Sequence, residues 1–122
     1  MRQPKQRETE DLLDRFKTFL KYDAETGDVT FTDNRKGAVE VGQLAGHVRK
    51  DGYLGVYHRD QNYMLHRVAW ALHYGKWPEH TIDHINRNKA DNRISNLRDV
   101  PQAVNNLNKG SYKKLDNSNE LL

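Results

Sequence analysis

The sequence contains no cysteine and no long hydrophobic run, and these two absences exclude several classes of protein. Without cysteine, the chain has no disulfide framework, no thiolate nucleophile and no cysteine-based zinc site. No apolar run approaches the ~18 residues of a membrane-spanning helix, and the first residues lack the apolar stretch of a signal peptide. We therefore expect a soluble, cytoplasmic protein with no membrane partner.

Hydrophobic residues are also scarce, since they make up only 35% of the 122 residues. This content lies below that of ordinary globular domains and predicts a small hydrophobic core. A chain of this length fits one compact domain, which we expect to span residues 1–122.

The net charge of +3 is modest, but the basic residues are concentrated in two blocks. Residues 34–67 hold six basic and three acidic side chains, and residues 83–114 hold seven and three. Two such blocks are typical of a surface that binds a polyanion such as nucleic acid. Ordinary basic surfaces have a similar composition, so charge alone leaves both interpretations open.

Apolar spacing and turn residues predict short helices alternating with antiparallel hairpins. Helices are predicted near 10–20, from Leu65 to Gly75, and at 101–108. The predicted strands and turns are a hairpin over 22–32, a strand pair at 43–49 and 53–58, a turn at 59–62, and strands at 81–85 and 97–100 separated by a polar loop.

The segment 82–108 is unusually rich in asparagine, with seven of the eleven asparagines of the chain. Asparagine favours turns and caps, which accounts for Asn86, Asn88 and Asn92 as loop residues. The same explanation does not account for the pair Asp83-His84 before the loop, nor for asparagine inside the helix predicted at 101–108, where it is a mediocre helix former.

This segment resembles the HNH endonuclease family, whose core is a strand, loop, strand and helix around one metal ion. The residues that carry the resemblance are Asp83-His84, the stretch 91–98, and Asn105. Asn96 follows His84 by 12 residues and Asn105 follows Asn96 by nine, as in the variant of the family with asparagine at the last position.

Residues 65–78 also resemble small phage-type HNH proteins, many of which are homing endonucleases, so that the resemblance covers about 20–110. It implies an α+β fold in which an N-terminal helix and antiparallel β-hairpins precede a ββα-metal (HNH) motif. We expect a helix- and β-rich, DNA-contacting part at 9–80, the HNH motif at 81–109 and a tail at 110–122. Many relatives continue into a further DNA-reading module, and we expect none after this tail.

The resemblance implies cleavage of a phosphodiester bond with one divalent metal ion, Mg²⁺ or Mn²⁺. Asp83 would be the anionic metal ligand and Asn105 would supply a carbonyl oxygen, a set that suits these ions better than zinc. His84 would accept the proton of the attacking water, because its ordinary pKa of ~6.5 leaves it mostly neutral. Asn96 would hold the loop, or the His84 ring, in its working orientation.

Strand geometry restricts this site, because neighbouring side chains on a regular strand point to opposite faces. Asp83 and His84 can serve one phosphate only if the strand ends or distorts at that pair. Of the other histidines, His47 and His58 are expected to be half-buried or to face phosphate. His66 is expected to brace the site or to cap its helix.

The expected partner is double-stranded DNA, bound by a monomer or a homodimer in the cytoplasm of a bacterial host if the protein is phage-encoded. Each basic residue is individually more typical of a phosphate contact or of a solvated charge than of base recognition. The predicted DNA-binding residues are Arg35, Lys36, Arg49, Lys50, Arg59, Arg87, Lys89, Arg93 and Arg98.

The sequence thus favours a metal-dependent DNA endonuclease, and a monomer with one site would nick one strand. The alternative is a catalytically silent DNA-binding or accessory protein on an HNH scaffold. An RNA-directed nuclease would use the same chemistry.

Overall fold

The computed structural model of the chain describes residues 8–101, and this part contains two α-helices and three small antiparallel sheets. Their order is α1 Glu10–Phe19, β1 Leu20–Tyr22, β2 Val29–Phe31, β3 His47–Val48, β4 Leu54–His58, β5 Gln61–Met64, α2 Leu65–Tyr74, β6 Thr81–His84 and β7 Leu97–Val100. The α+β fold class is therefore confirmed. The helix predicted at 101–108, including Asn105, and the tail at 110–122 extend outside the described residues.

Helix α1 forms where the sequence supplies a cap and an apolar stripe. The Thr9 hydroxyl accepts a hydrogen bond from the Leu12 amide at 3.1 Å, and acidic residues occupy the first turn, where the helix dipole favours them. Phe16 is completely buried and Phe19 nearly so. The helix therefore presents one apolar face to the core.

Helix α2 packs against α1 and presents a second apolar face to the core. Val68 and Ala69 on this helix are completely buried. The helix ends at Gly75, whose φ of 81° lies in the left-handed region that glycine adopts without strain. Within the described residues, neither helix is long and apolar enough to span a membrane.

The strand predicted over 43–49 is divided at Gly46. Residues 42–45 run along the free edge of β2, where the Ala45 amide donates to the Val29 carbonyl at 2.7 Å. Gly46 then redirects the chain with a φ of 115°, and a Cβ there would lie 2.9 Å from Leu65 Cδ2. Only His47–Val48 pair with β4, so the prediction of one continuous strand was wrong.

The turn predicted at 59–62 is shorter than expected. Only Arg59 and Asp60 form it, both with positive φ, while Gln61 and Asn62 already pair with β4. Two left-handed residues in succession match the right-handed twist of the flanking strands, which allows a two-residue connection.

The segment between α2 and β6 is fixed by two charged side chains. Arg67 forms an ion pair with Glu8 at 2.6 Å and donates to the carbonyl oxygens of Pro78 and His80. Asp99 on β7 accepts hydrogen bonds from the amides of Glu79 and His80. These contacts determine where β6 begins.

The turn between β1 and β2 packs directly on the loop that follows β6. The Tyr22 hydroxyl donates to the Asn92 carbonyl, and the Ile94 amide donates to the Ala24 carbonyl at 3.1 Å. Gly27 has a φ of 83°, and a Cβ at this position would lie 2.7 Å from the carbonyl carbon of Asn92. The close approach of two backbones therefore requires glycine.

We expect Gly27→Ala to destabilise the protein more than Gly37→Ala. Both glycines have φ near +85°, so both variants incur the left-handed strain of an L-residue, about 1–2 kcal/mol. Gly37 has open space where the Cβ would be, whereas Gly27 faces backbone. The steric conflict should lower the free energy of unfolding by about a further 1–3 kcal/mol. Denaturant unfolding of both variants tests this, and equal losses would contradict it.

His58 is buried in the core, not half-buried or phosphate-facing as expected. Its ring stacks on Phe19 with centroids 5.6 Å apart, and neither ring nitrogen has a hydrogen-bond partner. Burial lowers the pKa of His58, and the nearby cations Arg35, Arg59 and Arg15 lower it further.

We expect His58→Phe to stabilise the protein and to make it less sensitive to acid. The unfolded state, with an ordinary histidine pKa of ~6.5, binds the proton more readily than the folded state, so His58 lowers stability as pH falls below that value. Removing two unsatisfied buried nitrogens should add about 1–3 kcal/mol at neutral pH. Unfolding curves from pH 8 to pH 4 provide the measurement, with exposed His80→Phe as the control. An unchanged acid dependence in His58→Phe would contradict this assignment.

Candidate active site

The candidate site lies on the β-hairpin formed by β6 and β7 and on the long loop between them. The register pairs Asp83 with Arg98 and His84 with Leu97, and β6 ends at His84. The strand thus ends at the Asp83-His84 pair, although its alternation continues to that point, with His84 buried and Asp83 half-buried.

Asn96 closes the loop from its far end. This side chain is 5% exposed, and its carbonyl oxygen accepts from the Asn86 amide at 2.9 Å. Its amide group donates to Asn86 Oδ1 and to the Asp91 carbonyl. These bonds span the loop and do not involve the His84 ring. Of the two roles predicted for Asn96, holding the loop or holding the His84 ring, they therefore correspond to holding the loop.

The loop asparagines divide into two kinds. Asn86 and Asn88 are turn residues, as the composition indicated, since each accepts a hydrogen bond from a backbone amide two residues later. Asn92 is different, because it is 2% exposed and its Oδ1 lies 2.8 Å from His84 Nε2. The interpretation of Asn92 as an ordinary turn residue was wrong.

His84 is surrounded by aromatic rings as well as by Asn92. The His66 ring lies 5.0 Å from the His84 ring and the Tyr53 ring 5.9 Å, between centroids. Burial lowers the pKa of His84, while the hydrogen bond with Asn92 and the charge of Asp83 oppose that shift. The imidazole is therefore neutral at neutral pH.

His66 braces this cluster from α2. Its ring stacks on Tyr53 with centroids 5.4 Å apart and an interplanar angle of 15°. Burial, with the neighbouring His84, lowers the pKa of His66 to about 3, so the ring is uncharged. Of the two roles that the sequence left open, the contact with the site is the one present, because the helix cap at Met64 involves no side chain.

Asp83 forms an ion pair with Arg98, the residue opposite it on β7. The guanidinium approaches the same carboxylate oxygen with Nε at 3.0 Å and Nη2 at 2.9 Å. The side chain of Asp83 keeps 19% of its surface exposed. Its carboxylate is a hard oxygen donor of the kind that Mg²⁺ and Mn²⁺ prefer.

The described residues contain no group of three or more His, Cys, Asp or Glu side chains that could hold a metal ion. Mg²⁺ is commonly bound through one or two protein oxygens together with water and substrate phosphate, so one carboxylate fits this ion. The second predicted ligand, Asn105, lies outside the described residues.

Several of the predicted DNA-binding residues are engaged within the protein. Arg49 pairs with Asp51 at 3.2 Å and Arg93 pairs with Asp91 at 2.7 Å. The hydrogen bonds from Arg93 hold the pKa of the Asp91 carboxyl below its usual range. Arg98 pairs with Asp83, as described above.

Lys89 connects the site loop to the hairpin of β3 and β4. Its ammonium group donates to the Asp51 carbonyl at 2.8 Å and lies 4.7 Å from the centre of the Tyr53 ring. The N-terminal part and the site loop therefore form one continuous surface here.

The remaining predicted DNA-binding residues lie at turns. Arg35, Lys36, Arg59 and Arg87 all have positive φ, between 51° and 68°, and Lys50 is exposed in the turn between β3 and β4. The Arg35 guanidinium covers the Phe19 ring at 4.0 Å.

Asn92 and Tyr53 could not be assigned to the site from sequence spacing, whereas a contact of His66 with the site was one of the two roles predicted for it. Tyr53 and His66 reach His84 only through the tertiary fold. A buried asparagine within a loop indicates a specific partner, but the burial of Asn92 is known only from the structure.

Known proteins share both the sequence pattern and the fold. Residues 63–107 match the family model of HNH endonucleases. A solved structure of the HNH homing endonuclease I-HmuI, described as showing DNA binding and cleavage, matches with a TM-score of 0.56 and 28% sequence identity. The match covers 80% of this chain and 55% of that one, so this chain spans about half the length of the solved protein. A comparison with curated protein sequences gives no significant match.

The matched segment contains helix α2, both strands of the candidate site and the asparagine-rich loop. The surrounding arrangement of two helices and small antiparallel sheets is an HNH-type fold. Residues 63–107 of this chain therefore match the HNH endonuclease family, within an HNH-type fold.

Proposed function

We propose that the protein is a metal-dependent DNA endonuclease that hydrolyses phosphodiester bonds at the β6–β7 hairpin. The observation that carries this proposal is the neutral, buried His84 at the end of β6, hydrogen-bonded to Asn92 and adjacent to Asp83. His84, Asn92 and Asp83 all lie within the segment that matches the HNH endonuclease family.

His84 is the general base of this proposal. A base must be unprotonated to accept a proton from water, and burial lowers the pKa of His84, which favours that form at neutral pH. His66 beside it is uncharged, so it does not repel the imidazolium as strongly as a cation would when His84 takes up the proton.

Asp83 and Asn105 would hold the divalent ion, Mg²⁺ or Mn²⁺, through oxygen atoms. An ion held there would supply stabilisation of the negative charge that develops on the phosphate and on the departing 3′ oxygen. Asn96 is a positioning residue in this proposal, because its hydrogen bonds fix the loop between the two strands.

The proposed substrate is double-stranded DNA, and I-HmuI is described as binding and cleaving DNA. We propose phosphate contacts from the basic residues at the turn tips and around the site, among them Arg35, Lys36, Arg59, Arg87 and Lys89. One site per chain cuts one strand, so a monomer would nick and a homodimer could cut both strands. We place this activity in the cytoplasm.

We expect Asp83→Asn and His84→Gln each to abolish nicking of supercoiled plasmid in Mg²⁺ or Mn²⁺. Asp83→Asn removes the anionic metal ligand and His84→Gln removes the base, losses that should reduce the rate on the order of 10²–10⁴-fold. DNA binding, measured by gel shift in the same buffer, should be retained. The exposed His80→Gln is the matched control and should cut as the wild type does.

The outcomes of this assay separate the alternatives. Cleavage at the wild-type rate by Asp83→Asn or His84→Gln would remove that residue from the mechanism. DNA binding by the wild type without cleavage in either metal, on plasmid or on genomic DNA, would instead indicate the silent accessory protein. Preferential cutting of RNA competitor would indicate an RNA-directed nuclease.

We expect Arg98→Gln to strengthen binding of divalent metal in the absence of DNA. The guanidinium competes with any cation for the Asp83 carboxylate, and a partly exposed ion pair contributes about 0.2–1 kcal/mol, up to about a 5-fold change in Kd. Titration calorimetry with Mn²⁺ gives the affinity. Arg93→Gln, which removes the ion pair with Asp91, is the control and should leave it unchanged. Equal or weaker binding by Arg98→Gln would contradict this competition.

A further inference from the structure

We propose that Asn92 is a positioning residue that holds His84 in the tautomer with its proton on Nε2 and its lone pair on Nδ1. The β1–β2 hairpin in turn holds Asn92 in place. Nδ1 would then be the atom that accepts the proton of the attacking water, so the inference rests on the proposed function and specifies its reacting atom.

The chemistry of the Asn92 contact selects this tautomer. Asn92 Oδ1 lies 2.8 Å from His84 Nε2, and an amide oxygen only accepts hydrogen bonds. Nε2 must therefore carry the hydrogen. A neutral imidazole has one N–H, so the lone pair is on Nδ1.

The aromatic neighbours of His84 cannot supply this selection. Tyr53 and His66 contact the His84 ring at centroid distances of 5.9 and 5.0 Å and limit its tilt. A rotation of 180° about the Cβ–Cγ bond leaves the ring in the same plane but exchanges nitrogen and carbon positions. Only a polar partner at one ring atom distinguishes the two orientations, and Asn92 is such a partner.

Asn92 is held from the N-terminal part of the chain. Its backbone carbonyl oxygen accepts a hydrogen bond from the Tyr22 hydroxyl, and Gly27 packs against the backbone between Asn92 and Arg93. The Ile94 amide donates to the Ala24 carbonyl two residues further along. The backbone that carries the Asn92 carboxamide is therefore held by a hairpin distant in sequence, and not by the loop alone.

Burial supports this role over that of an ordinary loop residue. Asn92 is 2% exposed, and a carboxamide at such a site is costly unless it is hydrogen-bonded. Asn88, in the same loop, is exposed and bonds only to the local backbone. The two asparagines thus provide a test residue and a matched control.

The test is the tautomer of His84, read from long-range ¹H–¹⁵N correlation spectra of protein labelled with ¹⁵N-histidine above pH 8. The spectrum of His84→Gln assigns the His84 signals among those of the six histidines. We expect the Nε2–H form in the wild type and in Asn88→Ala. An Nδ1–H form in the wild type would overturn the proposal before any variant is made.

Two substitutions of Asn92 then test whether its side-chain oxygen causes the preference of His84 for the Nε2–H form. Asn92→Leu, similar in size but without an acceptor, should lose the Nε2–H preference and lower kcat on the order of 10–100-fold with little change in KM. Asn92→Asp keeps the acceptor oxygen and should keep the proton on Nε2, and it remains informative if Asn92→Leu does not fold. Retention of a pure Nε2–H form in folded Asn92→Leu would overturn the proposal.

This measurement is independent of turnover. If the wild type shows the Nε2–H form but cuts no DNA, the proposed function fails while the positioning by Asn92 stands. If the wild type cuts DNA and shows the Nδ1–H form, the proposed function stands while the positioning by Asn92 fails.

Discussion

The hydrogen bond between His84 and Asn92 depends on both parts of the chain that meet at the candidate site. His84 ends a strand of the HNH segment, whereas Asn92 is positioned by Tyr22 and by the turn that contains Gly27. A buried polar pair is favourable only when both members are satisfied, so displacement of the N-terminal hairpin would leave the histidine without its partner. The N-terminal part therefore maintains the geometry of the site as well as carrying basic residues.

The low hydrophobic content explains why polar contacts maintain the geometry of the candidate site. The core combines one apolar face each of α1 and α2 with about as many residues from the strands and their connections. The loop between β6 and β7 has little apolar surface to bury, and it is fixed by Asn96, by the Arg93–Asp91 ion pair and by Lys89 instead. Such directional bonds hold side chains in one arrangement, which a catalytic constellation requires.

The sequence predicted elements formed by local signals and missed contacts formed by tertiary structure. Thr9 and Gly75 mark the ends of helices through capping chemistry, and both ends were predicted closely. The division of a strand at Gly46 depends on Leu65 and on the free edge of β2, which no local pattern reveals. Asp83 and His84 could be selected by resemblance and spacing, but Asn92 could be distinguished from Asn88 only by its burial.

The ion pairs at the site affect which of its arginines would be available to bind DNA phosphate. Arg49, Arg93 and Arg98 are paired with acids, and Lys36, Lys50 and Arg59 lie exposed at turns. The salt dependence of DNA binding follows the number of phosphates neutralised, not the net charge, so a net charge of +3 does not preclude an extensive interface. An arginine that exchanges its carboxylate for a phosphate leaves that carboxylate free, and for Arg98 such an exchange would free Asp83. Binding of Arg98 to a DNA phosphate and release of the Asp83 carboxylate for the metal ion would then occur together.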